Sequence, residues 1–170
     1  MYIPFNDMPG SARLWIYQAD RPFTVPERAS IENDLVHLCE TWKAHDVPLK
    51  TSFRIEYSQF VVLAVDERDA GASGCSIDSS VRWLKGLQQR LGIDFFNRQQ
   101  VAFLADEGIA LHPMGQLKTL FENGVLNARS VAFNNALTTK ADWEQAWKVA
   151  AAETWLSRYL PKAAGVQNPS

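Results

Sequence analysis

The run Phe60-Val61-Val62-Leu63-Ala64-Val65 is the most apolar stretch of the chain, and it constrains the fold more than any other feature. Successive side chains of a β-strand point to opposite faces of the sheet, so a strand over this run presents apolar side chains on both faces. A strand at a sheet edge or on an open face leaves one side in water. We therefore predict that residues 60–65 form a central strand.

The patterns on either side of this run predict the remaining elements. Alternating polar and apolar residues indicate strands, and apolar residues at helical spacing indicate helices. The predicted strands are 13–17, 52–57, 60–65, 101–105, 109–112 and 131–133. The predicted helices are Pro26 to about His45, a helix that presents Ile77 to Leu91 along one side with Gly92 as its cap, 114–121, and a Trp-rich C-terminal segment that ends at Pro161. The Trp-rich helix either breaks near Ala150 or is buried on more than one side.

The first six elements follow the order strand, helix, strand, strand, helix, strand. This order is typical of the ferredoxin-like (βαββαβ) arrangement, in which the first and third strands are central. The predicted fold class is therefore α+β, with a ferredoxin-like sheet core extended by an extra hairpin strand, a further strand and C-terminal helices. The sheet face that carries Trp15 and Tyr17 needs a cover, and we predict that Trp143, Trp147 and Trp155 provide it.

Composition limits the classes of protein to which the chain can belong. Of the 170 residues, 46% are hydrophobic and 21% charged, which excludes general disorder and suits one domain over 1–160 with a flexible tail over 161–170. The net charge of -2 gives no footprint for duplex nucleic acid, so we expect no nucleic acid partner. No apolar stretch approaches the ~20 residues of a membrane span, so we expect no membrane partner.

Cys39 and Cys75 are the cysteines of the chain, and the N-terminal residues lack the basic and apolar regions of a signal peptide. A chain of this length folds without disulfides, so we expect reduced thiols and a cytoplasmic location. Cys39 falls on the apolar side of the first predicted helix and is expected in the core. A zinc site made of His37, Cys39 and His45 has no recognised ligand spacing, so we predict no metal site.

The segment from Asp66 to Ser80 joins the predicted central strand to the next helix, and it contains the candidate site. Small residues lead into a helix start that carries a thiol, hydroxyl groups and a carboxylate. Helix N-termini bind anions through free amide groups and lower the pKa of thiols. The candidate ligand-binding residues are Ser73, Gly74, Cys75, Ser76 and Asp78, joined by Asn97, Arg98 and Asn134 at the ends of neighbouring strands, and Cys75 is the candidate catalytic residue.

Each of these residues also has a structural interpretation. Ser73 and Ser76 suit a helix cap, and Asp78 complements the helix dipole while opposing a bound anion. Cys75 can fill a tight junction between strand and helix, and Arg98 can pair with an acidic side chain. Asp66, Glu67 and Asp78 offer oxygen ligands to a divalent cation, although solvated loop charges are the favoured explanation of these residues.

The chain resembles a family of short bacterial proteins that are often labelled "ABC transporter ATPase". The resemblance rests on Leu63-Ala64-Val65-Asp66-Glu67, Ala72-Ser73-Gly74-Cys75-Ser76-Ile77-Asp78, Asn97-Arg98 and Phe133-Asn134-Asn135, and it extends from Tyr2 to Tyr159. It implies no activity or cofactor. The label requires a Gly-x-x-x-x-Gly-Lys-Ser/Thr loop to hold phosphates, and Gly71 to Ser76 contains no lysine, so we reject the ATPase function.

These observations leave three functions open. The favoured function is a cytosolic domain that binds a small anion or nucleotide-like ligand at the Gly-Cys-Ser loop, with catalysis undecided. The second is a protein-interaction domain in which this loop is only a structural junction. The third is a single-stranded nucleic-acid-binding module that stacks bases on Trp15 and Tyr17. The cofactor, the ligand and the oligomeric state are not determined by the sequence.

Overall fold

The computed structural model of the chain describes residues 1–162, which form an α+β fold with four α-helices and nine short or medium β-strands. The helices are α1 (Val25–Thr41), α2 (Gly74–Leu91), α3 (Leu117–Glu122) and α4 (Lys140–Ala146). The strands are β1 (Arg13–Gln18), β2 (Lys43–Ala44), β3 (Val47–Pro48), β4 (Lys50–Glu56), β5 (Phe60–Asp66), β6 (Gln100–Ala105), β7 (Gly108–Pro113), β8 (Val131–Phe133) and β9 (Lys148–Ala150). They form three small sheets in which all pairs of strands are antiparallel.

The strands and the residues between them form two compact units. The first unit contains Met1–Asn97 and Asn135–Trp147, and the second contains Arg98–Asn134 and the chain from Lys148. The prediction of one domain over 1–160 stays a prediction. Of the predicted tail, residues 163–170 lie outside the described residues, whereas Pro161 and Lys162 are exposed and have no regular secondary structure.

The first unit is built on a three-stranded sheet of order β1-β5-β4. Its middle strand, β5, is buried along its whole length, which confirms the predicted central strand. Val61, Leu63 and Val65 of β5 pack with apolar residues of α1 and α2 in one core cluster. Both long helices therefore cover the same face of this sheet.

Capping residues mark the starts of the two long helices and the end of α2. Thr24 accepts a hydrogen bond from the amide of Glu27, whose carboxylate accepts one from the Thr24 amide, and Pro26 lies in the first turn of α1. Gly92 ends α2 with φ of 65°, a left-handed conformation that glycine adopts without strain. The first helix is shorter than predicted, because β2 and β3 form a small hairpin around His45.

The aromatic cover of the sheet lies on the face opposite to the one predicted. Trp15 is paired with Leu63, so it points to the helix-covered face, where its ring lies 6.0 Å from that of Trp42. Trp147 instead contacts Phe60, with ring centres 5.0 Å apart, on the other face. Trp143 and Trp147 are buried as predicted, but Trp155 is 45% exposed and belongs to the second unit, so the three-tryptophan lid is wrong.

The predicted ferredoxin-like topology is not evident. The strands β1, β5 and β4 do have the antiparallel order expected for three strands of that fold. The fold also requires a fourth strand beside β1. The strand predicted for this place, β6, belongs to another sheet. Part of the outer edge of β1 is occupied by the segment before α4: the Leu14 amide donates to the Thr138 carbonyl and the Lys140 amide donates to the Ala12 carbonyl. These contacts satisfy edge groups that a fourth strand would otherwise satisfy.

The second unit contains a four-stranded sheet of order β7-β6-β8-β9. The predicted hairpin is present as β6 and β7, and Gly108 has φ of 84° at the turn. The predicted C-terminal helix breaks after α4. Residues 148–150 pair with β8 as β9, because a four-residue Trp spacing drifts around a helix and does not keep one face buried. Two short 3-10 helices, Ala151–Glu153 and Trp155–Tyr159, follow.

Candidate functional site

The start of α2 is closed by its own side chains. Ser73 Oγ accepts a hydrogen bond from the Ser76 amide at 3.2 Å, and Ser76 Oγ accepts one from the Ser73 amide at 2.7 Å. Ser76 also donates to the Ser73 carbonyl at 2.8 Å, and its side chain is buried. This reciprocal cap uses amide groups that a bound anion would need.

The carboxylates of the loop before α2 also have partners, some within the loop and some on the neighbouring strands β1 and β4. Glu67 Oε2 accepts a hydrogen bond from the Ala72 amide at 2.9 Å, and a Cβ atom at Gly71 would lie 3.1 Å from the same oxygen. Arg68 donates to both oxygens of Asp66, at 2.9 and 2.7 Å, and these bonds lower the pKa of the Asp66 carboxyl. The carboxylates of this loop therefore stabilise the loop itself.

Cys75 and Cys39 are both free thiols in very different surroundings. Cys75 lies in the first turn of α2 and is exposed, so the tight junction is filled by the buried Ser76 rather than by Cys75. Cys39 is fully buried on α1, as predicted, and burial raises the pKa of its thiol to about 11. Within residues 1–162, the amides of Gly74 and Cys75 have no acceptor, so two donors remain at this helix start.

The remaining predicted site residues fall in both units. Asn97 ends the first segment of the first unit, whereas Arg98 and Asn134 belong to the second unit. Arg98 is exposed, two residues before β6, and Asn134 directly follows β8 and is also exposed. Their predicted convergence with the Ser73–Asp78 loop on one pocket stays a prediction.

A groove between α1 and α2 begins one turn further along α2. Its volume is about 510 Å³, and we call it the α1–α2 groove. The residues that line it are Leu38, Thr41, Trp42, Lys43, Ser79, Arg82 and Trp83. It thus presents two cationic side chains, two hydroxyl groups and two indole rings, and no carboxylate.

The two cations of this groove differ from most basic side chains of the first unit. Most of these lie within 4.0 Å of a carboxylate, in the pairs Arg13–Glu67, Arg21–Glu27, Arg28–Glu32, Lys50–Asp69, Arg54–Glu56, Arg68–Asp66, Arg90–Asp34 and Lys140–Glu144. Among the described residues of this unit, the exceptions are Lys43, Arg82 and Lys85. Two of these exceptions line the same groove, so within residues 1–162 neither of its cations lies within 4.0 Å of a carboxylate.

The indole rings form the apolar part of the groove. Trp42 is 3% exposed, and its N–H donates to the Ser76 carbonyl at 2.8 Å, which fixes the ring against the first turn of α2. Trp83 is half-buried against the core cluster under α1 and α2. The Thr41 hydroxyl donates to the His37 carbonyl at 2.9 Å, so its oxygen can still accept a hydrogen bond.

A second groove lies at the edge of β4, and its charges are paired. Its volume is about 540 Å³, and its lining includes Arg28, Arg54 and Glu56. Arg54 Nε lies 2.7 Å from Glu56 Oε1, and the Arg54 guanidinium lies 5.5 Å from the centre of the Phe5 ring. Arg28 is bonded to Glu32 and to the Ser58 hydroxyl. The basic groups of this groove therefore have protein partners, in contrast to those of the α1–α2 groove.

The α1–α2 groove was not predicted from the sequence, although the spacing of three of its lining residues is visible in the sequence. Ser79, Arg82 and Trp83 have the spacing i, i+3, i+4, which places them on one side of a helix. The contribution of Lys43 and Trp42 depends on how α1 packs against α2, which the spacing does not give. The sequence pattern instead predicted a site at the adjacent Ser73–Asp78 loop.

The described residues also bear on a metal site, on an aromatic stacking surface and on a membrane span. No group of three or more His, Cys, Asp or Glu side chains over 1–162 could hold a metal ion. Trp15 and Tyr17 are half-buried under the helix-covered face, where the Tyr17 ring lies 5.9 Å from that of Phe96, so they do not form an open stacking surface. Over the same residues, no helix is both long and apolar enough to cross a membrane.

No family model, curated protein or solved structure matches the chain. The resemblance to the proteins labelled as transporter ATPases therefore stays a prediction.

Proposed function

We propose that the chain is a small-ligand-binding domain, that its ligand carries negative charge, and that the ligand binds in the α1–α2 groove. The observation that carries this proposal is the lining of the groove, which holds Lys43 and Arg82 and no carboxylate; among residues 1–162, neither cation lies within 4.0 Å of a carboxylate. An anion gains from each of these charges without displacing an existing ion pair. Arg82 can also hold a carboxylate or phosphate group through two parallel hydrogen bonds.

The Ser73–Asp78 loop is the alternative position for the same ligand. In its favour, the amides of Gly74 and Cys75 have no acceptor within residues 1–162. Against it, the amides of Ala72, Ser73 and Ser76 already have side-chain acceptors, and the negative charge of Asp78 lies just past the first turn of α2. The groove supplies full positive charges where the loop supplies two amide dipoles, so we favour the groove. The proposal concerns binding alone and assigns no reaction.

The test is a binding experiment with simple phosphates. Inorganic phosphate, pyrophosphate and ribose 5-phosphate are titrated into the protein at low salt and followed by calorimetry and thermal unfolding. A ligand present at 100 times its dissociation constant stabilises the folded state by about 2.7 kcal/mol, which is easily measured. We expect binding that weakens as potassium chloride is added, because Lys43 and Arg82 are both exposed and salt screens exposed charges.

Matched variants decide where such a ligand binds. Arg82→Gln and Lys43→Gln should each weaken binding about tenfold or more, which corresponds to one charge-assisted contact. Lys85→Gln removes the third unpaired cation, which does not line the groove, and should leave binding unchanged. If Cys75→Ser and Ser73→Ala weaken binding while Arg82→Gln does not, the ligand binds at the loop. If none of the three phosphates binds, the proposed function is wrong.

A specific observation favours a protein-interaction domain as the second candidate. The reciprocal Ser73–Ser76 cap is what a structural junction between β5 and α2 requires, with no ligand needed to complete it. This function predicts that the phosphates do not bind and that Cys75 reacts like any exposed thiol. The titrations above therefore separate the two candidates.

A further inference from the structure

We propose that the ligand of the α1–α2 groove is a mononucleotide, with its phosphate at Lys43 and Arg82 and its base against Trp83. The inference rests on the proposed function and deepens it by assigning a chemical class to the ligand. The groove combines unpaired positive charge with an indole wall and hydroxyl groups, within one lining of seven residues. A nucleotide offers the matching set of a charged phosphate, a sugar and an aromatic ring.

Trp83 is the residue that distinguishes a nucleotide from a simple phosphate. Trp83 packs against the core cluster formed with α1 and β5, and its half-buried side chain also lines the groove. Packing of this kind holds an indole ring in place before a ligand arrives, so little side-chain freedom is lost on binding. Bases of any sequence stack on such a ring, because each has an aromatic face.

The other wall of the groove is equally fixed. Trp42 is anchored by its hydrogen bond to the Ser76 carbonyl and by its contact with Trp15. The hydroxyl groups of Thr41 and Ser79 are available to a sugar or phosphate oxygen. A volume of about 510 Å³ lies within the range of roughly 300–1,000 Å³ typical of small-molecule sites.

The experiment compares ligands that share one half of a nucleotide. Adenosine 5′-monophosphate, ribose 5-phosphate and adenosine are titrated into the whole chain by calorimetry at fixed salt concentration. We expect the monophosphate to bind about tenfold or more tightly than ribose 5-phosphate, because stacking on one aromatic side chain contributes at least this factor. Adenosine should bind weakly, since it lacks the charge that Lys43 and Arg82 attract.

Variants of Trp83 test whether this residue provides the extra affinity that the base contributes. In Trp83→Leu the monophosphate should lose its advantage over ribose 5-phosphate, whereas binding of ribose 5-phosphate itself stays unchanged. Trp83→Phe keeps an aromatic face and should keep most of the advantage, and it also guards against a fold defect in the leucine variant. Trp155→Leu, a half-exposed tryptophan of the second unit, is the matched control and should change nothing.

The outcomes separate the two proposals. If ribose 5-phosphate and the monophosphate bind equally and depend on Arg82, the nucleotide inference is overturned and the proposed anion-binding function stands. If neither ligand binds, both are overturned. If adenosine binds as tightly as the monophosphate, the charge on which both proposals depend has no role. Tighter binding of a single-stranded oligonucleotide, with contacts beyond the groove, would also overturn the assignment of a mononucleotide.

Discussion

The first turn of α2 and the α1–α2 groove one turn later use polar groups in opposite ways. At the first turn, hydroxyl groups, carboxylates and amides bond to one another, so that Ser73, Ser76 and Glu67 complete the loop. In the groove, Lys43 and Arg82 have no acidic partner within residues 1–162. A segment rich in polar residues is therefore not the one with the most unused binding capacity.

The difference shows what a candidate site needs beyond its residue types. A serine or aspartate at a helix start is stabilised by the helix itself, because it caps free amides or complements the dipole. An arginine and a lysine at one groove repel each other until an anion arrives. Binding capacity is therefore measured by the groups that the fold leaves without partners. Four predictions test how burial and pairing control the behaviour of these groups, in order of decreasing effect.

The largest expected effect is the contrast between the two thiols. Cys75 is exposed and should react readily with a thiol reagent at pH 8, whereas Cys39 is buried and burial raises the pKa of its thiol to about 11. The shift alone lowers the thiolate fraction of Cys39 by at least about 100-fold relative to an ordinary thiol, and burial blocks access further. Mass spectrometry of the labelled Cys75→Ser and Cys39→Ala variants measures both rates.

The same raised pKa fixes the sign of a pH dependence. Cys39 keeps its proton in the folded state to about pH 11, while an unfolded thiol loses its proton from about pH 8.5. The unfolded state is therefore favoured as the pH rises between these values, and this contribution to stability is lost in that range. Cys39→Ala should show a smaller loss there than Cys75→Ser. Equal labelling rates for the two thiols in the folded protein would contradict the burial of Cys39.

Most of the first unit could be predicted from its residues. Residues 60–65, which are apolar on both faces, predicted the central strand, and Thr24, Pro26 and Gly92 predicted helix ends. These signals could be used because each depends only on residues close together in the sequence. The position of β6 was not predictable in this way. Which sheet a half-buried strand joins depends on competing edges: β6 pairs on both sides with β7 and β8, and the segment before α4 occupies part of the β1 edge.

The candidate site likewise has local features that the sequence predicts and contacts between distant residues that it does not predict. Capping by Ser73 and the buried state of Cys39 follow from sequence alone, since each concerns a residue and its own helix. The groove requires knowing that Lys43, in the short strand β2 after α1, lines the same groove as Arg82 of α2. It also requires knowing that other basic residues have acidic partners, such as Arg90 with Asp34 from different helices. Partners distant in sequence are set by packing, which residue spacing does not reveal.

An intermediate effect is expected from the cap of α2. Ser76→Ala removes the acceptor for the Ser73 amide and a buried hydroxyl group, and should lower the free energy of unfolding by about 1 kcal/mol, as loss of a capping side chain typically does. Ser79→Ala, exposed on the same helix, is the control and should change it by less than about 0.5 kcal/mol. Urea unfolding measures both. A Ser76→Ala variant as stable as the control would mean that the cap does not stabilise the loop.

The smallest effect on stability is expected at the groove, and its sign is the most informative. Arg82→Gln removes no ion pair and relieves repulsion with Lys43, so the free energy of unfolding should stay unchanged within about 0.5 kcal/mol or rise slightly at low salt. Arg21→Gln is the contrasting variant, because Arg21 holds both oxygens of Glu27 at 2.8 Å, and it should be less stable than the native chain. Urea unfolding in 20 mM and 500 mM potassium chloride separates the cases, since added salt should abolish any gain in Arg82→Gln. A clear destabilisation by Arg82→Gln in the absence of ligand would show that Arg82 has a structural partner in solution, and the contrast between loop and groove would then fail.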